Sequence, residues 1–278
     1  MKKEFLIGAA LLLSGCANQP SSPQEPAWLP NTHYVAIGHQ SRITTVVLHY
    51  TVADERRSLE LLTGPHVSSH YLIAQYPKPH QRYPQVFQLV PEDQAAWHAG
   101  VSTWRGTYNL NSTSIGIELV NPGFSQATAG GYSHCQAYPP AQIEVLIEIL
   151  TEIARRYAIA PENIVGHSDI APLRKLDPGP CFPWQQLAEH GLGAWPSPAL
   201  VQKLLAGRDA KAPVANDLLL PLLKQYGYVI GSNATIQQQR QLIRAFQMHF
   251  QSENISGRAD QLTLARLQAL LLQYPRQR

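Results

Sequence analysis

Two histidines and an aspartate, far apart in this chain, are of the types that could together hold a metal ion. His49 sits in VVLHYT at 46–51; His167 and Asp177 sit in GHSDIAPLRKLDPGP at 166–180, with Lys175 two residues before the aspartate. A catalytic zinc site uses three protein ligands and leaves the fourth tetrahedral position open to water. Two neutral imidazoles and one carboxylate suit Zn2+, and three cysteines in the whole chain are too few for a four-cysteine structural site. The ligands would come from a strand end and two later turns, which is not the helical H-E-x-x-H arrangement.

Elements must bring these residues together. Residues 43–48, ITTVVL, form a β-branched run that reads as a buried strand delivering His49. A short helix is expected over Ser58–Leu62, stopped by Gly64-Pro65, and strands over 71–74 and 86–90. In SIGIELV at 114–120 the residues alternate, with Ile115, Ile117 and Leu119 facing one way and Gly116 and Glu118 the other. A glycine beside a carboxylate on one strand face leaves room for a ligand. The longest helix is expected over 140–157, where Ile143, Leu146, Ile147, Leu150, Ile153, Ala154 and Tyr157 make an apolar stripe. Residues 163–166 then give a short strand that delivers His167. Helices and strands mixed in this order predict an α/β fold, a central sheet flanked by helices. From about residue 213 strand signals stop, and helices over 217–226, 235–250 and 260–271 predict a small all-α three-helix domain. Ile236, Ile243, Phe246 and Phe250 would form its core, and Asp260 would cap its last helix.

The N-terminus speaks to location. Lys2 and Lys3 precede an apolar run, Phe5 to Leu13, and then Leu13-Ser14-Gly15-Cys16. A basic start, a short apolar core and small residues before a cleavage point describe a signal peptide, and the run is short of the ~20 residues a membrane span needs. Residues 17–31, rich in proline, serine and glutamine, read as a tether. The expected organisation is 1–15 signal peptide, 16–31 lipidated cysteine and linker, 32–207 catalytic domain and 208–278 helical domain. A formal net charge of +3 with no Lys/Arg run argues against nucleic acid. Cys135 and Cys181 either pair in an oxidising compartment or stay as small buried thiols.

The motifs resemble a known family, the zinc-dependent N-acetylmuramoyl-L-alanine amidases of the type-2 amidase fold, and within it the lipoprotein amidases of the outer membrane. The resembling pieces are VVLHYT at 46–51, SSHYLI at 68–73, AWHAG at 96–100, SIGIELVNPG at 114–123 and IVGHSDIAPLRKLDPGP at 164–180. The tail is similar to a peptidoglycan-binding three-helix module through RAFQMHF at 244–250 and the pattern Gly257, Asp260, Thr263. The resemblance implies that His49, His167 and Asp177 hold Zn2+ and that Glu118 and Lys175 are the catalytic pair. It implies a central mixed sheet and cleavage between the lactyl group of N-acetylmuramic acid, or its anhydro form, and L-alanine of a stem peptide. Leu-Ser-Gly-Cys is similar to a lipobox, with Cys16 lipidated, and Ala17 after it favours the outer membrane over the inner one. His70, Trp97 and His98 either line the cleft or pack beneath it, and Arg105 on the loop 101–113 either meets a stem-peptide carboxylate or is a solvated loop arginine. The expected partners are peptidoglycan or muropeptides and a membrane through the lipid anchor; a monomer is expected. The competing readings are a non-catalytic peptidoglycan receptor on the same fold and a zinc peptidase cutting within the stem peptide.

Overall fold

The structure is a computed structural model and describes residues 28–80, 82–126 and 132–276. Cys16 and the signal segment lie outside the described residues. Residues 28–40 belong to an N-terminal unit that ends at Gln40 and carry no helix or strand. The helices and strands belong to the unit that begins at Ser41.

Its strands are β1 (Thr45–Tyr50), β2 (Tyr71–Ile73), β3 (Pro79–His80), β4 (Tyr83–Pro84), β5 (Val86–Gln88), β6 (Thr103–Trp104), β7 (Thr107–Tyr108), β8 (Ser114–Leu119), β9 (Phe124–Gln126), β10 (Tyr132–Cys135) and β11 (Ile164–Gly166). Its helices are α1 (Glu55–Leu62), α2 (Pro140–Tyr157), α3 (His167–Ile170), α4 (Trp184–Glu189), α5 (Pro198–Leu205), α6 (Asn216–Tyr226), α7 (Ile236–Phe250) and α8 (Gln261–Gln273). Five strands form the central sheet in the order β11-β1-β8-β2-β5; the first four run parallel and β5 is antiparallel. The mixed sheet expected from the sequence is present.

The sheet has two unlike faces because side chains alternate along each strand. One face carries Val46, Leu48, Ile115, Ile117, Leu119 and Ile164, which pack with Ile143, Leu146, Leu150 and Ile153 of α2. α2 spans the predicted residues, with proline at its start and Ala158 in the left-handed region at its end. The other face carries His49 and Glu118 at the carboxyl ends of β1 and β8, and below them Val47 and Val165. In open α/β sheets the ground beyond the carboxyl ends of parallel strands is where ligands bind.

The three tail helices form where the periodicity placed them, and both Thr235 and Asp260 cap the helices that follow with their side chains. They do not close a core of their own. Leu219, Leu223, Ile243, Phe246, Phe250 and Leu267 pack in one cluster with Val47, Val165 and Ile170 from beneath the sheet. Ile236, expected in the core, is 60% exposed. α5, on the other side of the expected boundary at 207/208, packs Val201 and Leu205 on Ala265 and Ala269 of α8. Helical periodicity shows which face of a helix is apolar but not what covers it. No described helix is long and apolar enough to cross a membrane.

A fully buried aliphatic or aromatic side chain contributes about 1.5–3 kcal/mol, and truncation after residue 212 would strip such partners from Val47, Val165 and Ile170. The truncated protein is expected to melt well below the full chain or to be insoluble, as thermal denaturation would show. An unchanged melting temperature would mean that the tail is thermodynamically separate.

Candidate active site

Parallel pairing brings the first residues together. His49 of β1 is in register with Glu118 of β8, so both side chains leave the same face at neighbouring strand ends. β11, on the other side of β1, ends at Gly166, and His167 is the first residue of α3. The chain then turns back: the amides of Arg174 and Lys175 donate to the Ala171 carbonyl and the Ser168 amide donates to the Asp177 carbonyl, each at 2.9 Å. The turn packs so closely that a Cβ on Gly166 would lie 2.6 Å from Pro178 Cδ. Tyr138 fixes the loop from outside by donating its hydroxyl proton to the Pro178 carbonyl at 2.8 Å. A disulfide between Cys135 and Cys181, with Cα atoms 5.9 Å apart, ties the same loop to β10. The sequence left that pairing open.

These residues face a cleft of about 390 Å3, whose walls include His49, Trp97, Glu118, His167, Arg174, Lys175 and Asp177. His49, His167 and Asp177 are buried, and their ligand atoms all lie within 4.8 Å of one another. Asp177 Oδ2 is 2.9 Å from His49 Nδ1 and 3.1 Å from His167 Nδ1.

The protons around this centre follow from the hydrogen bonds behind it. Ser114 Oγ lies 2.6 Å from the Leu110 carbonyl, which can only accept, so the one hydroxyl proton goes there. The same oxygen then accepts from His98 Nε2 at 3.2 Å. Burial, with His49 and His70 nearby, holds His98 well below the usual imidazole range, so it is neutral and its Nδ1 is bare. That nitrogen lies 3.0 Å from His49 Nε2, which must therefore donate. Burial, and His167 beside it, bring His49 down to about 4 against the pull of Asp177, so His49 is also neutral and presents a bare Nδ1 to the centre. His167 Nε2 donates to the Ala99 carbonyl at 3.1 Å, which turns its Nδ1 towards the same point. Burial would raise the Asp177 carboxyl, but His167 first of all outweighs it and holds the group well below the usual carboxylate range. The bare His49 nitrogen facing a carboxylate oxygen at 2.9 Å repels it unless a cation lies between them. The donor set fits a metal ion.

Glu118 stands at the edge of this centre without pointing its charge at a partner. Its Oε2 is buried and unbonded. Burial, then Asp177, push its carboxyl up to about 8 in the metal-free protein, with Lys175 pulling the other way. A carboxyl poised near neutrality beside a metal site suits proton transfer. Lys175 lines the cleft within electrostatic reach of Glu118 and His49 and has no ion-pair partner among the described residues.

The remaining candidates separate. Trp97 is 58% exposed on the cleft wall. His98 is at the floor, 8% exposed, and fills the space that Gly116 leaves: a Cβ there would lie 2.4 Å from the imidazole. The room read from Gly116 thus belongs to His98, not to a ligand. His70 is fully buried and braces the sheet, its Nδ1 accepting from the Gly116 amide and its Nε2 donating to the Gln94 carbonyl; it does not line the cleft. Arg105 is likewise no cleft residue. Its guanidinium donates to the Tyr226 and Tyr274 carbonyls at 3.0 and 3.4 Å and pairs with Glu162 at 3.8 Å, fastening the loop to the tail. The arginine at the cleft is Arg174, held by the Ala99 and Val101 carbonyls at 2.9 Å each. Its place beside Lys175 was the available signal. Asn111 carried no signal in the sequence; its Oδ1 accepts from the His98 and Ala99 amides and so holds the segment behind His49 and His167.

Comparison with known proteins agrees with this geometry. Residues 39–180 match the family described as N-acetylmuramoyl-L-alanine amidase. The chain is 47% identical over 270 residues to N-acetylmuramoyl-L-alanine amidase AmiD of Escherichia coli, covering 97% of each chain. The structure of that Escherichia coli enzyme with the substrate anhydro-N-acetylmuramic acid-L-Ala-D-gamma-Glu-L-Lys superposes with a TM-score of 0.87, covering 90% of this chain and 97% of that one. AmpDh3 of Pseudomonas aeruginosa, in complex with anhydromuramic pentapeptide, gives a TM-score of 0.81 at 37% identity, covering 90% of this chain and all of that one. With a family match over residues 39–180 and this likeness along nearly its whole length, the chain belongs to the N-acetylmuramoyl-L-alanine amidase family.

Proposed function

We infer that this protein is a zinc-dependent N-acetylmuramoyl-L-alanine amidase that hydrolyses the amide between the lactyl group of N-acetylmuramic or anhydro-muramic acid and L-alanine of peptidoglycan stem peptides. The observation that carries the reading is the set of three buried donors, His49, His167 and Asp177, with Glu118 in strand register beside them. The muropeptides named in the complexes of its two structural relatives support the substrate.

Zn2+ held by His49, His167 and Asp177 would supply Lewis acidity towards the scissile carbonyl and a water of lowered pKa. Glu118 takes a proton from the attacking water as its oxygen bonds to the carbonyl carbon. It returns that proton to the amide nitrogen as the C–N bond breaks, leaving a lactyl carboxylate and a free L-alanine amine. Lys175 offers an ammonium to the negative charge that develops on the carbonyl oxygen. Arg174 and Trp97 on the cleft wall are placed to bind an anionic peptide and a sugar face.

His49→Ala, His167→Ala and Asp177→Ala are each expected to lower zinc content and turnover together. Glu118→Gln is expected to keep its zinc and lose about 10²–10⁴ in kcat, the range for a general acid–base group. Metal analysis, turnover and identification of the new amine on L-alanine in one set of preparations decide this. A new amine elsewhere in the stem would point to a peptidase, and full activity without metal would end the reading.

The raised Glu118 carboxyl also links stability to pH. A group near 8 when folded and 4.5 when unfolded favours folding most fully below 4.5, and that contribution is lost as pH rises towards 8. The metal-free Glu118→Gln protein should therefore match metal-free wild type in acid and melt a few degrees higher on the alkaline side of 8. Equal melting temperatures across that range would contradict the assignment.

We further propose that Cys16 is lipidated and anchors the protein to the periplasmic face of an outer membrane, with the tail helices adding affinity for polymeric wall. The support is Leu13-Ser14-Gly15-Cys16 followed by Ala17, and the likeness of 244–263 to wall-binding modules. Cys16→Ala should leave the membrane fraction while purified protein keeps its turnover; wild type recovered soluble with an unmodified N-terminus would refute the anchor.

A further inference from the structure

The tail reaches the metal centre through one buried carboxylate. Asp169 lies two residues beyond His167 on the single-turn α3 and is fully buried. Its Oδ2 accepts from the Gly166 amide at 2.8 Å, closing the turn on which His167 sits. The same oxygen is 2.7 Å from His249 Nδ1 on α7, and Oδ1 is 2.5 Å from the Tyr228 hydroxyl just beyond α6. A carboxylate can only accept, so both tail groups donate to it. No lysine or arginine pairs with Asp169 among the described residues; His249 is its one cationic-type partner.

Each tail donor is itself fixed. The His249 ring stacks on Trp184 at 3.7 Å, with planes 17° apart. The Tyr228 ring meets Trp104 edge-on at 5.2 Å, and Tyr228 is buried with it. A buried carboxylate that loses a donor must move or take up water. Movement of Asp169 would free the Gly166 amide and loosen the turn that aims His167, because one backbone turn joins the three residues.

We propose that Tyr228 and His249 are positioning residues of the metal centre: through Asp169 they hold the turn that aims His167, so the C-terminal helices complete the catalytic site as well as serving any role in wall binding. The proposal rests on His167 being a metal ligand, as inferred above. Partners that orient metal ligands without touching the metal typically govern affinity by ten- to a hundredfold.

The test uses the full chain. Tyr228→Phe removes one hydroxyl, and His249→Leu removes the other donor, whereas His249→Asn keeps an N–H near the place of Nδ1. Zinc affinity is measured by competition with a chromophoric chelator, well below each melting temperature. Hydrogen exchange of the Gly166 amide is measured in metal-free protein. Tyr228→Phe and His249→Leu should bind zinc about ten- to a hundredfold more weakly and exchange the Gly166 amide faster, while His249→Asn recovers much of both. Leu205→Ala, in the separate α5–α8 cluster, should lower the melting temperature and leave zinc affinity unchanged. Unchanged affinity and exchange in Tyr228→Phe and His249→Leu would overturn the proposal, as would equal weakening by Leu205→Ala. A wild type that binds no zinc would instead sink the metal-centre reading on which it rests.

Discussion

Two imidazoles and a carboxylate crowd one buried point, with a bare His49 nitrogen facing the Asp177 oxygen, and much of the structure serves to keep them in place. Both rings are held from behind: His49 by His98, whose own proton is committed to Ser114, and His167 by the Ala99 carbonyl. Asn111 then fixes the His98–Ala99 backbone by accepting from both amides. The cluster is thus tuned by groups that would never touch a bound ion, which is how metal sites generally set the tautomer and orientation of their histidines.

The same constraint explains the glycines nearest the site. Gly116 has no side chain because the His98 ring occupies that space, and Gly166 has none because the Asp177–Pro178 segment closes over it. Both are close approaches of one part of the fold to another. The carboxylate that does face the cleft, Glu118, keeps one oxygen buried and unpaired. An unsatisfied group of this kind normally costs stability, and it is tolerated where function needs a proton acceptor whose charge is not already neutralised.

Support for the centre extends through the sheet into the tail. Val47 and Val165, one layer beneath His49 and His167, share one buried cluster with Ile170 of α3 and with side chains of α6, α7 and α8. Arg105 and Asp169 add polar ties across the same boundary, each to tail groups distant in sequence. A segment that reads as an appended module in this way shares its packing and polar ties with the site.

Much of this was legible in the sequence because it depends on local periodicity. Alternation in SIGIELV set Glu118 opposite Ile117 and Leu119, the apolar stripe set the ends of α2, and Asp260 marked the start of α8. The donor residues could be picked out by type, and their grouping through resemblance to a family. What the sequence could not supply were contacts between segments with no fixed spacing. Arg105 and Arg174 are both arginines in loops, and only the fold decides that the first is tied to the tail and the second lies at the cleft. Cys135 and Cys181 are 46 residues apart, and their pairing depends on how β10 lies against the loop after Asp177. His70, His98 and His249 look alike in one dimension. Their roles follow from the acceptor or donor that tertiary packing places opposite each ring nitrogen, because an imidazole takes its proton position from its neighbours and not from its place in the chain.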